Sequence, residues 1–164
     1  MQAELGGAIS QSIYYVPNIK GGANTVTVTF NQSAASPDIR VLEYSGLNTA
    51  SPLDATAVGS GNGTAASSGS ASTTSANELI FGANTVYTGT RSAGTGFTSR
   101  TITSDGDIAE DEAGGPPFAV CAKGGRGSRN LSGGSYLQFN PRPLVDLQPS
   151  RFSVGILAVT APAP

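Results

Sequence analysis

The sequence contains no histidine and no tryptophan, and charged residues fill only 12% of its 164 positions. Without histidine, the Ser-His-Asp and Cys-His machineries of nucleophilic hydrolases are excluded. The low charge also argues against a helical bundle, in which Glu, Lys, Leu and Arg usually dominate. The formal net charge of −2 disfavours nucleic acid as a partner, because phosphate binding needs clustered Lys and Arg.

Cysteine and long apolar runs are also scarce. Cys121 is the only cysteine, so the sequence predicts no internal disulfide. Its apolar neighbours, residues 118–122, favour an inert buried thiol over a reactive nucleophile. No stretch is apolar over the roughly 18 residues that a membrane helix needs, so we expect no membrane insertion. The first residues lack a signal-peptide pattern, which predicts that any export signal was removed or lies upstream in a longer parent.

The abundant residues are Gly, Ser and Thr, and they flank short β-forming runs. Residues 24–30 alternate Val26, Val28 and Phe30 with threonines, which is the period of a half-buried strand. Residues 8–16 read as the strand before it, and the turn between them predicts a hairpin. Residues 59–75 contain only small and polar types, and they indicate either a flexible excursion or an edge strand around 65–74. Further strands are expected at residues 38–44, 77–87, 97–103, 135–139 and 151–159.

Short strands with Gly-rich turns predict an all-β fold, an antiparallel β-sandwich or jelly roll of about eight to ten strands. We expect one domain over residues 1–164. Composition changes after Ala113, since residues 1–113 carry 4 basic and 10 acidic residues, a net of −6. Residues 114–164 carry 5 basic residues and 1 acid, a net of +4, and contain most of the prolines. This basic tail is expected to supply closing strands.

Five of the eleven acids lie in one stretch, residues 104–112. Asp105, Asp107, Glu110 and Asp111 offer hard oxygens that suit Ca²⁺, and Gly106 lets the backbone bend between them. The full EF-hand pattern is absent. The competing interpretation is a solvated edge strand, with Ile108 pointing inward and the acids discouraging edge-to-edge pairing.

The same carboxylates suggest two catalytic alternatives. Asp105 and Asp107 on one strand face would suit a pair for glycoside hydrolysis, although any acidic strand meets that spacing. A metal-assisted hydrolase would use Asp105, Asp107 and Glu110 as ligands and base around a bound water. This second route survives the absence of histidine, and no organic cofactor is expected.

Several motifs together resemble a poorly characterised all-β domain of large secreted bacterial proteins, often found beside immunoglobulin-like modules. The motifs lie at residues 14–30, which begin Tyr-Tyr-Val-Pro-Asn, at 39–47, which begin Ile-Arg-Val-Leu-Glu-Tyr, at 52–54 (Pro-Leu-Asp), at 76–79 (Ala-Asn-Glu-Leu) and at 104–111, which begin Ser-Asp-Gly-Asp. The resemblance covers about residues 8–113 and ends there. It implies a sandwich-like fold, an extracellular setting and an adhesive or glycan-binding role, without established catalytic residues.

Taken together, the sequence predicts a secreted or cell-surface, non-catalytic binding or adhesion module that Ca²⁺ stabilises. The alternative is a calcium-assisted hydrolase of esters or lactones, such as N-acyl-homoserine lactones. A third interpretation is a structural spacer in a larger surface protein. Expected partners are a small molecule or glycan and a second copy through an exposed sheet edge. Tyrosines could form a sugar-stacking platform or lie half-buried in strands: Tyr14, Tyr15, Tyr44, Tyr87 and Tyr136.

Overall fold

The computed structural model describes residues 2–5, 9–20, 23–31, 33–34, 37–48, 50–61, 63–75, 77–113, 119–124, 132–139 and 152–161. Within these ranges, only the backbone is described for residues 2–5, 113, 119–124, 132–139 and 152–161. The described part is all-β, contains no helix, and pairs its strands antiparallel throughout. The predicted fold class is therefore confirmed at the level of an antiparallel all-β protein.

Eleven strands are present among the described residues. They are β1 (Gln2–Leu5), β2 (Ile9–Lys20), β3 (Asp38–Ser45), β4 (Leu53–Gly61), β5 (Ala66–Ser72), β6 (Leu79–Val86), β7 (Thr98–Ile102), β8 (Ile108–Ala113), β9 (Ala119–Gly124), β10 (Ser132–Phe139) and β11 (Phe152–Ala161). They form a four-stranded sheet in the order β1-β2-β11-β3, a five-stranded sheet in the order β4-β10-β6-β8-β7, and a two-stranded sheet of β5 and β9. No helix long and apolar enough to cross a membrane occurs in this part of the chain.

Most of the predicted strands are confirmed, with ends shifted by a few residues. The edge-strand interpretation of residues 65–74 is confirmed by β5, which pairs with β9. The predicted turn after residue 16 is wrong, because β2 continues to Lys20 past an irregularity opposite β11. Asn18 lies there with a φ of 59°, a left-handed conformation that asparagine tolerates better than most residues. The interpretation of Cys121 as a buried thiol concerns a side chain outside the described set.

The predicted hairpin between residues 8–16 and 24–30 is wrong. Residues 23–30 are described without any strand, and Val26 is 47% exposed. The physical reason lies in the sheet order, since β2 has β1 on one side and β11 on the other. β11 occupies one edge of β2 from Ser10 to Lys20, and β1 occupies the other edge at Ile9–Ser12, so the start of β2 pairs with β1 and β11 and not with the Val-Thr alternation.

A hydrophobic cluster is shared by the four-stranded and five-stranded sheets. Ile13 of β2, Phe81 of β6 and Ala109 of β8 are buried in it, together with Leu47, Leu79 and Ala83. Tyr15, Leu42, Tyr44 and Leu53 are partly buried against it. The cluster places the inner side of β3 opposite β6 and β8, which is where the acidic residues lie.

Candidate functional site: the acidic strand and its partners

The acidic stretch does not form an edge strand. β8 pairs with β6 on one side and with β7 on the other, so the expectation of a solvated edge was wrong. Ile108 is 0% exposed, as its predicted inward position requires, but Asp107, Glu110 and Asp111 are each only 1% exposed. Buried carboxylates need compensating donors, because burying an unpaired charge costs several kcal/mol or more.

A tight turn at residues 103–107 leads into β8. The amide of Gly106 donates to the carbonyl of Thr103 at 3.0 Å, and the amide of Asp107 donates to the Thr103 hydroxyl at 3.0 Å. Gly106 has a φ of 96°, in the region that favours glycine. Asp105 sits at the exposed tip of the turn, where its carboxylate accepts a hydrogen bond from the Thr103 hydroxyl.

A methyl group cannot be accommodated at Gly106. A Cβ atom built there would lie 2.0 Å from the Cα of Gly89. The two segments are held together by the amide of Thr90, which donates to the carbonyl of Gly106 at 2.8 Å. The segment after β6 therefore lies directly against the turn that leads into β8.

Asp107 is held by β6 and by Arg40 of β3. Its carboxylate accepts from the Thr85 hydroxyl at 2.8 Å and from the Val86 amide at 2.9 Å. The Nη2 atom of Arg40 lies 3.6 Å from Asp107 Oδ2. Asp107 thus has hydrogen-bond donors in its own sheet and a counter-ion in the other, which is the pattern of a structural carboxylate.

Arg40 is the only basic side chain buried among the described residues, and it spans the two sheets. Its Nη1 atom donates to the carbonyl of Asn84 at 2.8 Å and to the carbonyl of Ile108 at 2.7 Å. Its Nε atom lies 3.3 Å from Asp38 Oδ2. Burial lowers the pKa of the guanidinium, and the charges of Asp107 and Asp38 oppose that shift. The guanidinium stays charged in proteins, so these carboxylates are its counter-ions.

Glu110 lies on the opposite face of β8 from Asp111, because side chains alternate along a strand. Its carboxylate accepts a hydrogen bond from the amide of Gly94 at 2.7 Å. A Cβ atom at Gly96 would lie 3.3 Å from the carboxylate of Glu112, so the same segment also approaches that acid. The connection between β6 and β7 therefore covers this face of β8.

Asp111 joins three strands. The Tyr44 hydroxyl of β3 donates to Asp111 Oδ2 at 2.6 Å. Arg100 of β7 binds both carboxylate oxygens, with Nε at 2.7 Å and Nη2 at 2.8 Å. Burial and the neighbouring carboxylate raise the pKa of Tyr44 far above its ordinary value, so the hydroxyl stays protonated and remains a donor.

The structure brings together only two of the four predicted metal ligands. One carboxylate oxygen from each of Asp38, Asp105 and Asp107 lies within 4.8 Å of the other two. Glu110 and Asp111 fall outside this group and have the separate partners described above. Three carboxylates and the guanidinium of Arg40 together carry a formal net charge of −2. The net negative charge of the group would attract a cation. Arg40, however, already lies beside one carboxylate oxygen each of Asp38 and Asp107.

Sequence reasoning missed Asp38 and Arg40 as members of this group. A usable signal was present, because Arg40 shares one face of its strand with Leu42 and Tyr44. An arginine on an apolar strand face needs a buried counter-ion. The acidic stretch was the obvious source of that counter-ion.

No known protein family, curated protein or solved structure matches this chain. The resemblance to a secreted bacterial domain therefore stays a prediction from the residues.

Proposed function

We propose that this chain is a non-catalytic, extracellular binding module with a β-sandwich arrangement of its two larger sheets. The proposal rests on one observation, which is the hydrogen bonding of the buried acids. Asp107, Glu110 and Asp111 each accept hydrogen bonds from protein donors, so their oxygens are engaged in joining strands. Carboxylates used in this way suit a rigid scaffold better than an acid–base pair that must exchange protons with a substrate.

The outer face of the four-stranded sheet is the binding surface in this proposal. Tyr14 is 56% exposed on β2, and Val41 is 52% exposed on β3. Both are register partners of the same residue of β11, so they stand in one row across the sheet. Val16 and Ile39 are exposed on the same two strands. An exposed aromatic ring among apolar side chains offers the flat surface on which a sugar ring or small apolar ligand can stack.

Ligand-induced stabilisation tests this surface. We expect a cognate glycan or small molecule to raise the unfolding midpoint without being converted, and Tyr14→Ala to abolish the rise. Tyr87→Ala is the matched control, because Tyr87 is also exposed, at 45%, but lies after β6. A rise that persists in Tyr14→Ala, or is lost equally in both variants, would reject this face as the binding surface.

Calcium stabilisation is a second proposal, favoured by the grouping of Asp38, Asp105 and Asp107. Carboxylate oxygens are the ligands that Ca²⁺ prefers. The test compares thermal unfolding in EDTA and in millimolar CaCl₂. We expect a calcium-dependent rise that Asp105→Asn abolishes and that Glu43→Gln, an exposed carboxylate of β3, leaves unchanged. A calcium-independent midpoint would remove both the cation and the calcium-assisted ester or lactone hydrolase, which requires the same ion.

Self-association through an open sheet edge is part of the same proposal. Among the strands that the structure describes, β7 is at one edge of the five-stranded sheet with all five residues exposed, and β3 is at one edge of the four-stranded sheet. Unpaired edges are templates for pairing with another strand. Sedimentation velocity over a range of concentrations should show a reversible dimer, and a monomer at every concentration would contradict it.

A further inference from the structure

A second pair of carboxyl groups lies away from the acidic strand, where β5 connects to β6. Asp54 of β4 accepts hydrogen bonds at 2.6 Å from both the amide and the hydroxyl of Thr74. Glu78, just before β6, accepts one from the amide of Ser75 at 3.1 Å. Two consecutive residues of this connection therefore bind the two acids: Thr74 binds Asp54, and Ser75 binds Glu78.

Glu78 is buried in a way that an ionised carboxylate does not favour. Only 5% of the residue is exposed, and no donor among the described residues bonds to its buried Oε2 atom. The side chains of Glu78 and Asp54 are hydrogen-bond neighbours. Two ionised carboxylates cannot bond to each other, because both are acceptors. One proton on Glu78 relieves the conflict, because a protonated carboxyl group is a donor and can bond to Asp54.

The electrostatics agree with this assignment of the proton. Burial, followed by the hydrogen bond and charge of Asp54, raises the pKa of Glu78 to about 7. Burial also acts to raise the pKa of Asp54, but the hydrogen bonds from Thr74 and from Glu78 outweigh it, so its pKa is lowered. Asp54 is the charged group that acts on Glu78 from the neighbouring strand. Among the described residues, no basic side chain forms an ion pair with either acid.

We propose that Asp54 and Glu78 form a pH-sensitive latch, in which one shared proton holds the connection between β5 and β6 against β4. Loss of that proton leaves two adjacent negative charges, one of them buried. The repulsion is relieved when residues 73–75 and 77–78 move away from Asp54 and admit water. The latch is independent of the acidic strand, because neither acid belongs to the group at Asp38, Asp105 and Asp107.

The sign of the stability effect follows from the direction of the shift. The pKa of Glu78 is higher in the folded state than its ordinary value of 4.5, so the native state binds the proton more tightly. This contribution to stability is complete below about pH 4.5 and is lost as the pH rises towards about 7. The protein should therefore hold the connection more firmly at pH 5.5 than at pH 8.5.

Two measurements on the full chain, both in EDTA, test the latch. Carbon-13 NMR of the Glu78 carboxyl should show titration near neutral pH. Hydrogen exchange at the Thr74 and Ser75 amides, corrected for intrinsic chemistry, should be faster at pH 8.5 than at pH 5.5. A Glu78 titration at its ordinary value, or equal protection at both pH values, would overturn the proposal.

Glu78→Gln is the decisive variant, because a glutamine amide donates to Asp54 at every pH. We expect the pH dependence of exchange at Thr74 to disappear in it, while Glu43→Gln behaves as the wild type. Persistence of the wild-type pH dependence in Glu78→Gln would reject the latch. If that variant does not fold, Asp54→Asn serves instead, since removing the neighbouring charge must move the Glu78 titration to lower pH. An unmoved titration would contradict the pairing.

Discussion

The Tyr44 hydroxyl donates to Asp111 Oδ2 at 2.6 Å, although the two residues are 67 positions apart in the sequence. Tyr44 belongs to the four-stranded sheet and Asp111 to the five-stranded sheet. The bond is therefore a direct polar link between sheets, at the margin of the apolar cluster. Hydrogen bonds to a charged acceptor are the stronger kind in proteins.

Removing this link should destabilise the fold. Tyr44→Phe deletes the hydroxyl and leaves the buried Asp111 to Arg100 alone, which should lower the free energy of unfolding by about 1–3 kcal/mol. Urea denaturation measures the change. Tyr14→Phe, at an exposed position of β2, should alter it by less than about 0.5 kcal/mol. Equal effects of the two substitutions would show that the link contributes nothing of its own.

Arg40 should matter more than Arg100, because it is buried and serves both sheets. Arg40→Met leaves Asp107 without its cation and two backbone carbonyls without their donor, at a cost of about 3–5 kcal/mol. Arg100 is about half-exposed, so solvent screening should make Arg100→Met the less costly of the two substitutions. Parallel denaturant titrations compare them. The interpretation fails if Arg40→Met costs no more than Arg100→Met.

Two glycines with similar dihedral angles should respond differently to alanine. Gly46 has a φ of 84° and open space around a would-be Cβ, so Gly46→Ala should cost only backbone strain, about 1–2 kcal/mol. Gly106→Ala adds a clash with Gly89 and should cost roughly 3 kcal/mol or more. Thermal unfolding of both variants tests this, and a Gly106→Ala midpoint as high as that of Gly46→Ala would contradict the close approach.

Gln11 offers a substitution that should stabilise the protein. It is 0% exposed on β2, and neither side-chain amide atom has a hydrogen-bond partner in the described part of the chain. Gln11→Leu replaces a desolvated polar side chain with an apolar one of similar size. The substitution should raise the free energy of unfolding by about 1–3 kcal/mol. Gln11→Glu should do the opposite by burying a charge. A lower midpoint for Gln11→Leu would mean that the amide is satisfied.

The sequence was informative where local pattern decides the structure. The Val, Ile and Tyr alternation in residues 38–44 and the apolar run before Gly82 predicted β3 and β6 because side-chain period is a property of the strand itself. Residues 24–30 have an equally regular period and form no strand. Whether a strand-forming segment finds an edge depends on the sheet order, which distant strands determine.

The candidate site was predicted in composition but not in arrangement. The acidic stretch was singled out because five acids lie together. Several of its donors come from places that spacing cannot reveal: Gly94 in a connection, Tyr44 on another sheet, and Thr85 on a neighbouring strand. Local sequence shows that charge must be compensated, but only tertiary structure shows by what.

The position of β11 determines when the four-stranded sheet can form during synthesis of the chain. β11 lies between β2 and β3, and the three strands cannot form their sheet until Phe152–Ala161 has left the ribosome. Until then β2 and β3, with their apolar side chains, have no neighbour along the edges that β11 will occupy. Such contacts between distant residues slow folding and expose unpaired edges to aggregation. Nascent chains of this protein should therefore depend on chaperones until β11 is inserted between β2 and β3.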